Sequence, residues 1–243
     1  MIKIIFPLAG SSELFFNSGF TYPKPLIDVK GIPMIQFIFE KIIPINIPHK
    51  FIFIINEEDV IKYHLDSTLK LLTQNCDIIK LKNPTKGALC SILMAIDYID
   101  NDDTLLILNG DQIIEEDFNK IIEFWEEKLA DVGVVTFKSI HPRWSYVKIE
   151  NDLITQTAEK NPISQHAIAG YYYFSKASLF FENAFRVIRN KVQLNDVYFI
   201  SPVINEYILA EKKVYNYEID NLKYHSFYSP QKLNEFENLK NGH

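Results

Sequence analysis

The sequence has few cysteines and glycines, and its basic residues are outnumbered by its acidic ones. Its 243 residues include 2 cysteines, 8 glycines and 25 lysines and arginines, against 31 aspartates and glutamates. Cys76 and Cys90 form neither a CxxC pair nor a disulfide framework, so they are predicted to be buried thiols in a reducing compartment. The formal net charge of -6 disfavours nucleic-acid binding, which needs a clustered basic face.

Long hydrophobic runs are also missing. None approaches the roughly 18 to 20 apolar residues needed to span a bilayer. The apolar start, MIKIIFPLAG, passes into polar turn residues without the cleavage site of a signal peptide. We therefore expect a cytoplasmic protein that binds no membrane. With 47% hydrophobic and 23% charged residues, the composition is typical of a globular protein with a buried core.

Continuous apolar runs alternate with helix-length segments in the first half of the chain. Runs of Ile, Val, Leu and Phe without polar alternation are typical of strands buried on both faces. The predicted strands cover residues 2–6, 50–55, 76–81 and 104–111. The predicted helices cover residues 34–43, 57–72 and 88–99. This alternation predicts an α/β fold with a Rossmann-like mixed, mainly parallel sheet flanked by helices.

Past residue 130 the apolar runs become shorter. The predicted strands there cover residues 132–137, 146–149, 153–159, 168–174 and 213–219. The predicted helices cover residues 176–191, 200–211 and 230–236. Because no linker and no internal repeat separates the halves, we expect a single domain over residues 1–243.

Two polar turns fall at the carboxyl ends of predicted strands, where parallel α/β sheets bind ligands. The turn at residues 9–12 consists of small residues whose backbone N–H groups suit an anion, although an ordinary turn explains them equally well. The turn at residues 109–111 ends in Asp111, which suits either a hard cation or a helix N-cap.

Lys24 lies between these turns, in a rigid backbone frame. Pro23 and Pro25 flank it and restrict the conformation on both sides. A lysine held in this way is positioned in advance to meet a phosphate. The alternative is a surface lysine in a proline-rich loop.

Together these segments resemble the signature of the sugar-phosphate nucleotidyltransferases, also called NDP-sugar pyrophosphorylases. The matching parts of the opening are Leu8-Ala9-Gly10, Phe15, Pro23-Lys24-Pro25-Leu26 and Val29-Lys30-Gly31-Ile32-Pro33-Met34. Further matches are TKGALCSILMAI to the base-recognising turn and helix, and LLILNGDQII to the metal-binding strand end. The acceptor half of members that build bacterial surface polysaccharides is matched by RWSYVKI, AEKNPISQHAIAGYYYF and DVYFISPVINEYI. The resemblance covers nearly the whole chain.

The resemblance implies a reaction, a cofactor and a set of site residues. An oxygen of a sugar 1-phosphate attacks the α-phosphorus of a nucleoside triphosphate (NTP), and pyrophosphate leaves. Lys24 and Asp111 are the implied catalytic residues, and Asp111 is the implied ligand of Mg²⁺. The implied nucleotide-binding residues are Leu8, Ala9, Gly10, Ser11, Ser12, Lys24, Lys86, Gly87, Ala88, Asn109 and Gly110. The implied acceptor-binding residues are Glu159, Lys160, Gly170 and Arg143.

The same resemblance divides the chain into a nucleotide-binding half, residues 1–130, and an acceptor-binding half, residues 131–243. The acceptor is then a sugar phosphate or a similar phosphorylated building block for capsule or surface-glycan synthesis.

Apolar positions on the C-terminal helices either pair two chains as a homodimer or belong to the core. His166 either contacts the substrate or is structural, and residues 171–174 are expected in the core, with tyrosine hydroxyls available to a sugar pocket.

Four positions depart from the family signature. Leu14 stands where an arginine grips pyrophosphate, and Ser12 stands at the second glycine. Glu13 brings a negative charge towards the triphosphate, and Ser226 replaces a second metal-binding aspartate. Losing a bidentate cation and a carboxylate weakens the same reaction. Candidate replacement cations are Lys3, Lys86 and Arg143.

Three functions stay open at this point. We expect a Mg²⁺-dependent nucleotidyltransferase. A glycosyltransferase with the same sheet would also use Asp111 to hold a metal, but it has no need of the Pro23-Lys24-Pro25 frame. A catalytically degenerate nucleotide-sugar-binding protein would account for Leu14 and Ser226.

Overall fold

The computed structural model describes residues 1–42 and 45–239. The strands in these ranges are β1 (Ile2–Pro7), β2 (Asp28–Val29), β3 (Ile32–Pro33), β4 (His49–Asn56), β5 (Cys76–Leu81), β6 (Thr104–Leu108), β7 (Gln112–Ile114), β8 (Val132–Lys138), β9 (Ser145–Glu150), β10 (Leu153–Glu159), β11 (His166–Phe174), β12 (Val214–Glu218) and β13 (Tyr224–Ser226). The α-helices are α1 (Glu13–Phe16), α2 (Met34–Ile42), α3 (Glu57–Tyr63), α4 (Leu65–Leu72), α5 (Ala88–Leu93), α6 (Phe118–Glu127), α7 (Ala177–Arg189), α8 (Ser201–Leu209) and α9 (Pro230–Leu239). Short 3-10 turns cover Lys24–Leu26, Ile96–Tyr98 and Asn221–Lys223.

One large mixed sheet organises the described chain. Its main path runs β10-β9-β11-β6-β1-β4-β5, and β8 pairs with both β11 and β12. Strand β1 is parallel to β4 and β6, and β4 is parallel to β5, whereas β11 is antiparallel to β6. The predicted α/β, Rossmann-like mixed sheet is therefore confirmed. Two small ladders lie beside it, β2 with β3 and β7 with β13.

Helices cover both faces of this sheet, because successive strand residues point to opposite sides. Phe6 on one face belongs to a core that includes side chains of α2, α4, α6 and α9. Ile5 on the other face belongs to a core that includes α5, α7 and α8. Strands β1, β4 and β6 are buried along most of their length, as predicted. Strand β5 is less buried than predicted because it lies at the edge of the sheet.

Several predicted boundaries differ from the structure. The predicted helix over 57–72 is divided at His64, whose φ of 53° takes the left-handed conformation between α3 and α4. The predicted helix over 88–99 ends at Leu93, and a 3-10 turn follows at Ile96–Tyr98. The predicted helix over 34–43 is described to Ile42, and Ile43 lies outside the described residues.

Helix α6 was not predicted from the sequence. The Asp117 side chain caps it by accepting a hydrogen bond from the backbone N–H of Asn119. Its buried residues are Phe118, Ile121, Ile122 and Trp125. This spacing places the apolar side chains on one helical face, so the cap and the periodicity together were a usable signal.

The predicted strand over 104–111 ends early, at Leu108. The chain turns at residues 109–111, and β7 then leaves the large sheet to pair with β13. The N–H of Asn109 donates to the carbonyl oxygen of Gly170 at 3.1 Å, and the N–H of Phe227 donates to the carbonyl oxygen of Asp111 at 2.7 Å. Asp111 therefore lies in a turn that two distant segments hold.

Strands from the two predicted halves of the chain pair with each other. Strand β6 of the first half pairs with β11, and β7 pairs with β13. The single-domain organisation stays a prediction.

Cys76 and Cys90 are partly buried free thiols, and burial raises the pKa of each. No helix in the described ranges has the length and apolar character needed to cross a membrane.

Candidate active site

The two polar turns meet at one edge of the sheet. Strands β1 and β6 are parallel neighbours, with Ile5 opposite Ile107, so their carboxyl ends emerge side by side. A side chain at Gly110 would overlap the side chain of Leu8. The absence of a side chain at Gly110 thus makes room for Leu8.

Lys24 and Asp111 form an ion pair at this edge. The distance from Lys24 Nζ to Asp111 Oδ2 is 2.7 Å, and about one fifth of each side chain is exposed, 21% and 20%. The backbone N–H of Lys24 donates to Ser12 Oγ at 2.9 Å. Ser12, which stands at the expected second glycine, therefore fixes the proline-framed lysine to the first turn.

Two cavities adjoin this ion pair. The loop cavity, of about 190 Å³, is lined by Pro7, Leu8, Gly10, Lys24, Pro25, Ala88, Asn109, Gly110 and Asp111. The strand cavity, of about 280 Å³, has Ala88, Asn109 and Asp111 in common with it. Asp111 therefore stands at the boundary of two cavities, one beside the phosphate-binding turn and one beside strands β9 to β11.

All four predicted acceptor-binding residues line the strand cavity. They are Arg143, Glu159, Lys160 and Gly170. The cavity wall also contains the aromatic side chains of Trp144, Tyr172, Phe199 and Tyr228. A wall that combines charged and polar groups with aromatic rings suits a small phosphorylated molecule with hydroxyl groups.

Glu159 is held by two serine hydroxyls. Ser145 Oγ donates to Glu159 Oε2 at 2.5 Å, and Ser201 Oγ donates to the same oxygen at 2.7 Å. Burial raises the pKa of Glu159, and the two serine hydrogen bonds partly offset that rise. Both hydrogen bonds go to Oε2, which fixes the carboxyl group in the wall of the strand cavity.

Gly170 takes a conformation and a space that a larger residue would not tolerate. Its φ is +72°, in the region that favours glycine. A side chain there would overlap the amide groups of Gln112 and Asn109. Gln112 also donates to the carbonyl oxygen of Ala169. Gly170 therefore lets β11 approach the turn that carries Asp111.

Residues 171–174 are buried, as predicted for core strand residues. Tyr172 is also part of the strand cavity wall. Burial raises the pKa of the Tyr171 and Tyr172 hydroxyls, and it raises that of Tyr173 to about 12. These phenols are therefore neutral hydrogen-bonding groups at neutral pH.

Lys86 and Gly87 contact the segment before α8. The carbonyl oxygen of Lys86 accepts a hydrogen bond from the N–H of Tyr198 at 2.7 Å. Gly87 has a φ of +109°, and a side chain there would overlap the carbonyl oxygen of Tyr198. Gly87 is thus required by a close approach within the protein, and both residues lie outside the loop and strand cavities.

The remaining residues of the first turn border a third cavity of about 420 Å³. Ala9, Ser11 and Ser12 line it together with Gly10, which also lines the loop cavity. Glu13 contributes its side chain to this third cavity. The turn at residues 9–12 therefore separates two spaces and borders both.

The departures from the signature have distinct places in the fold. Leu14, on α1, is 61% exposed. Ser226 lines the strand cavity beside Asp111 and stands opposite Gln112 in the β7–β13 ladder. Position 226 therefore adjoins the site, as the resemblance implied, but it supplies a hydroxyl and no charge.

Two residues from the sequence analysis lie elsewhere. Lys3 is at the amino end of β1, where its Nζ is 3.5 Å from Asp103 Oδ2, so it does not replace the missing loop arginine. This corrects its candidacy, because the site is at the carboxyl end of the same strand. His166 Nδ1 lies 2.8 Å from Glu218 Oε2 and is not among the residues lining the two cavities.

Ser145 and Ser201 were missed by sequence reasoning. They are 14 and 42 positions from Glu159, and no local spacing connects either serine with that carboxylate. Gln112 was also missed, although it follows Asp111 directly and lines the strand cavity. Its polar side chain, next in sequence to a candidate metal ligand, could have identified it as a site residue.

The donor groups around Asp111 fit a magnesium ion. Among the described residues there is no group of three or more His, Cys, Asp or Glu side chains arranged to hold a metal. Asp111 is instead accompanied in the strand cavity by neutral side-chain oxygens on Asn109 and Ser226. The side-chain oxygen of Gln112 already accepts a hydrogen bond from the Tyr224 hydroxyl at 2.9 Å. Mg²⁺ suits this set because proteins often hold it through one or two carboxylates, waters and substrate phosphates.

The comparison with family sequence models defines the class of protein. The model described as nucleotidyl transferase matches residues 10–222 of this chain. The chain belongs to the nucleotidyl transferase family. The matched range contains the proline-framed lysine, the turn with Asp111 and the strands around the strand cavity.

Individual relatives agree with this assignment. The bifunctional protein GlmU of Methanocaldococcus jannaschii is 31% identical over 171 residues, which are 69% of this chain and 38% of that protein. This chain therefore spans little more than a third of that relative. The nucleoside-diphosphate-sugar pyrophosphorylase structure from Vibrio cholerae has a TM-score of 0.81 at 22% identity, covering 97% of this chain and 99% of that one. A UDP-glucose pyrophosphorylase complexed with UDP-glucose has a TM-score of 0.76 at 18% identity, covering 99% of each chain. These two structures show the shared fold.

Proposed function

We propose that this protein is a Mg²⁺-dependent nucleotidyltransferase that transfers a nucleoside monophosphate from an NTP to a phosphorylated small-molecule acceptor. A phosphate oxygen of the acceptor forms a new bond to the α-phosphorus of the NTP. The bond from that phosphorus to the bridging oxygen of the leaving group breaks, and pyrophosphate departs. The family membership and the sugar-nucleotide activities named for the structural relatives support this proposal.

The observation that carries the proposal is the position of Lys24 and Asp111 between two cavities. Asp111 lines both the loop cavity and the strand cavity, while Lys24 lines the loop cavity. A transfer reaction needs two substrates whose reacting phosphates meet at one point. We assign the loop cavity to the NTP phosphates and the strand cavity to the acceptor, so that the phosphates meet beside Asp111.

Lys24 acts by position and charge. Its backbone is fixed by the flanking prolines and by the hydrogen bond to Ser12 Oγ. The ammonium group therefore reaches the phosphates without a large ordering cost, and it offsets the negative charge that develops on the leaving pyrophosphate. No covalent intermediate with the protein is needed.

Asp111 would hold the magnesium ion, with Asn109 and Ser226 as neighbouring oxygen donors. Bound Mg²⁺ supplies positive charge that offsets the negative charge of the phosphate oxygens. Holding the ion would draw Asp111 away from Lys24, which would leave the lysine free to meet the phosphates. We further propose that the acceptor is a sugar phosphate used in capsule or surface-glycan synthesis, on the strength of the resemblance alone.

The test is pyrophosphate release measured with Mg²⁺, each common NTP and a panel of sugar 1-phosphates and related phosphorylated metabolites. We expect release that depends on one NTP, on one acceptor and on Asp111. The variant Asp111→Asn should lose activity by at least about a hundredfold. Asp77→Asn is a matched control, because Asp77 pairs with Lys50 at 2.8 Å away from both cavities.

A non-catalytic nucleotide-sugar-binding role is the competing candidate, favoured by Leu14 and Ser226. It predicts calorimetric binding of an NTP or a nucleotide sugar with no pyrophosphate release across the whole panel. That combination would overturn the catalytic proposal. Equal activity of Asp111→Asn and the unmodified protein would overturn the role of Asp111.

A further inference from the structure

Arg143 stands where the strand cavity opens into a neighbouring aromatic cavity. This aromatic cavity, of about 410 Å³, is lined by Phe137, His141, Arg143, Trp144, Tyr224, Ser226, Tyr228 and Lys232. Arg143, Trp144, Ser226 and Tyr228 line both spaces. Arg143 is therefore a cation at the end of the cavity that we assign to the acceptor.

Two rings hold the Arg143 guanidinium. Its central carbon lies 3.0 Å from the ring centre of Tyr228 and 4.9 Å from that of Trp144. Stacking on aromatic faces fixes a guanidinium plane while leaving its N–H groups at the edge available. The orientation of the charge is thus set before any ligand binds.

This cation has no ionic partner within the described chain. No carboxylate of the described residues lies within 4.0 Å of Arg143, and its Nε is buried without a hydrogen-bond partner. The carboxylates of the strand cavity are already engaged, Asp111 by Lys24 and Glu159 by two serines. Because Nε has almost no accessible surface, a ligand in the cavity would meet the terminal Nη groups of the guanidinium, for which no hydrogen bond is found in the described chain.

Position 226 explains why the arginine is free. Ser226 lines the same two cavities as Arg143, and its hydroxyl carries no charge. An aspartate at this position would add a carboxylate to the two cavities that Arg143 lines, where it would compete with an anionic ligand for the guanidinium. Ser226 thus lacks the charge of the aspartate expected at this position, and it leaves Arg143 available to bind a substrate.

We propose that Arg143 binds the phosphate group of the acceptor, and that serine at position 226 keeps Arg143 unpaired for this purpose. This proposal rests on the proposed function for its acceptor, but the anion site is testable without turnover. A phosphate suits the site because a guanidinium donates two parallel hydrogen bonds to phosphate oxygens. Lys160 supplies a second positive charge in the cavity, with its Nζ 4.9 Å from the Phe199 ring centre.

The test is calorimetric titration of the protein with inorganic phosphate and, separately, with glucose 1-phosphate, without NTP. We expect Arg143→Gln to weaken binding of the phosphate probe by about tenfold to a hundredfold. Arg143→Lys should lie between this variant and the unmodified protein, because it keeps the charge but loses the planar fork. Ser226→Asp should weaken binding about as much as Arg143→Gln, and the two changes together should add little to either alone.

Lys232→Gln is the matched control. Lys232 lines the aromatic cavity but pairs with Glu235 at 2.5 Å and does not line the strand cavity. It should bind the probes as the unmodified protein does. Circular dichroism melting of each variant separates loss of binding from loss of fold, and Arg143→Lys supplies a conservative variant if Arg143→Gln is unstable.

Unchanged probe binding in a folded Arg143→Gln protein, or tighter binding in Ser226→Asp, would overturn the proposal. Equal weakening in Lys232→Gln would reduce the effect to general surface charge and would also overturn it. Phosphate binding that depends on Arg143 without any pyrophosphate release would uphold this inference while the proposed transfer reaction failed. The two proposals therefore fail in distinguishable ways.

Discussion

Lys24 Nζ lies 2.7 Å from Asp111 Oδ2, and this ion pair joins residues 87 positions apart in the sequence. The lysine and the aspartate come from different turns at the carboxyl edge of the sheet. Each neutralises the other in the protein without ligands. When substrates bind, the phosphates would replace Asp111 as the partner of Lys24. The free energy lost by separating the ion pair would therefore be partly offset by the new charge interaction.

Replacing Lys24 with glutamine should impair transfer much more than folding. Removing a positioned charge next to the leaving group is expected to lower kcat by about a hundredfold to a thousandfold. The protein should stay folded, with a loss of about 1 to 3 kcal/mol in the free energy of unfolding, because the largely buried Asp111 carboxylate loses its charged partner. Steady-state pyrophosphate release and urea denaturation measure the two effects. Lys50→Gln, which breaks the comparable pair with Asp77, should leave kcat unchanged.

Gly170→Ala should destabilise the protein and disturb the site together. The positive φ alone costs about 1 to 3 kcal/mol for a residue with a side chain, and overlap with Gln112 and Asn109 adds to it. Gly19→Ala separates the two effects, because Gly19 has a φ of +89° and open space around its Cβ position. We expect urea denaturation to show a larger loss for Gly170→Ala. Equal losses would show that the neighbouring amides move aside.

Glu159→Gln should change how stability depends on pH. Burial raises the pKa of Glu159 above its ordinary value of 4.5, so between 4.5 and the raised value the folded protein binds more protons than the unfolded chain. This group's contribution is favourable below that window and is lost as pH rises through it. The stability of Glu159→Gln relative to the unmodified protein should therefore increase with pH across the window.

Urea denaturation from about pH 4 to about pH 8 measures this trend. Glu235→Gln is a control of opposite sign, because the hydrogen bond from Lys232 lowers the pKa of Glu235. The stabilising contribution of Glu235 is present above its ordinary pKa and is lost as pH falls through the lowered value. A pH-independent difference for Glu159→Gln would contradict the raised pKa.

Leu14→Arg should improve nucleotide use at little cost to stability. Leu14 is 61% exposed, so the change should alter the free energy of unfolding by less than about 0.5 kcal/mol. A guanidinium at position 14 of α1 should raise kcat/KM for the NTP by about tenfold, through charge-assisted hydrogen bonds to phosphate. Leu71→Arg is the control, since Leu71 is 88% exposed on α4. No gain over Leu71→Arg would show that position 14 does not face the phosphates.

Local patterns in the sequence predicted most of the framework. Long apolar runs predicted β1, β4 and β6, since a central strand must bury both of its faces. The helix boundaries were less predictable. His64 divides one predicted helix by adopting a left-handed conformation, and the helix that Asp117 caps was not predicted.

The candidate site divides in the same way. The Pro23-Lys24-Pro25 frame and the turn ending in Asp111 are local features, so the sequence by itself identified them and their expected chemistry. The sequence also contained the substitutions Leu14 and Ser226. The rigid frame follows from residue type and backbone restriction, whereas the expected chemistry and the significance of positions 14 and 226 come from the resemblance to the family signature.

Only the tertiary structure decided which distant groups meet. Lys24 pairs with Asp111, and Glu159 accepts hydrogen bonds from Ser145 and Ser201. The side chain of Leu8 packs against the backbone of Gly110. The tertiary structure also placed Lys3 away from the site and Arg143 beside Ser226. The physical reason is that hydrogen bonds and ion pairs act over a few ångströms, while strand order and helix packing set which residues come that close.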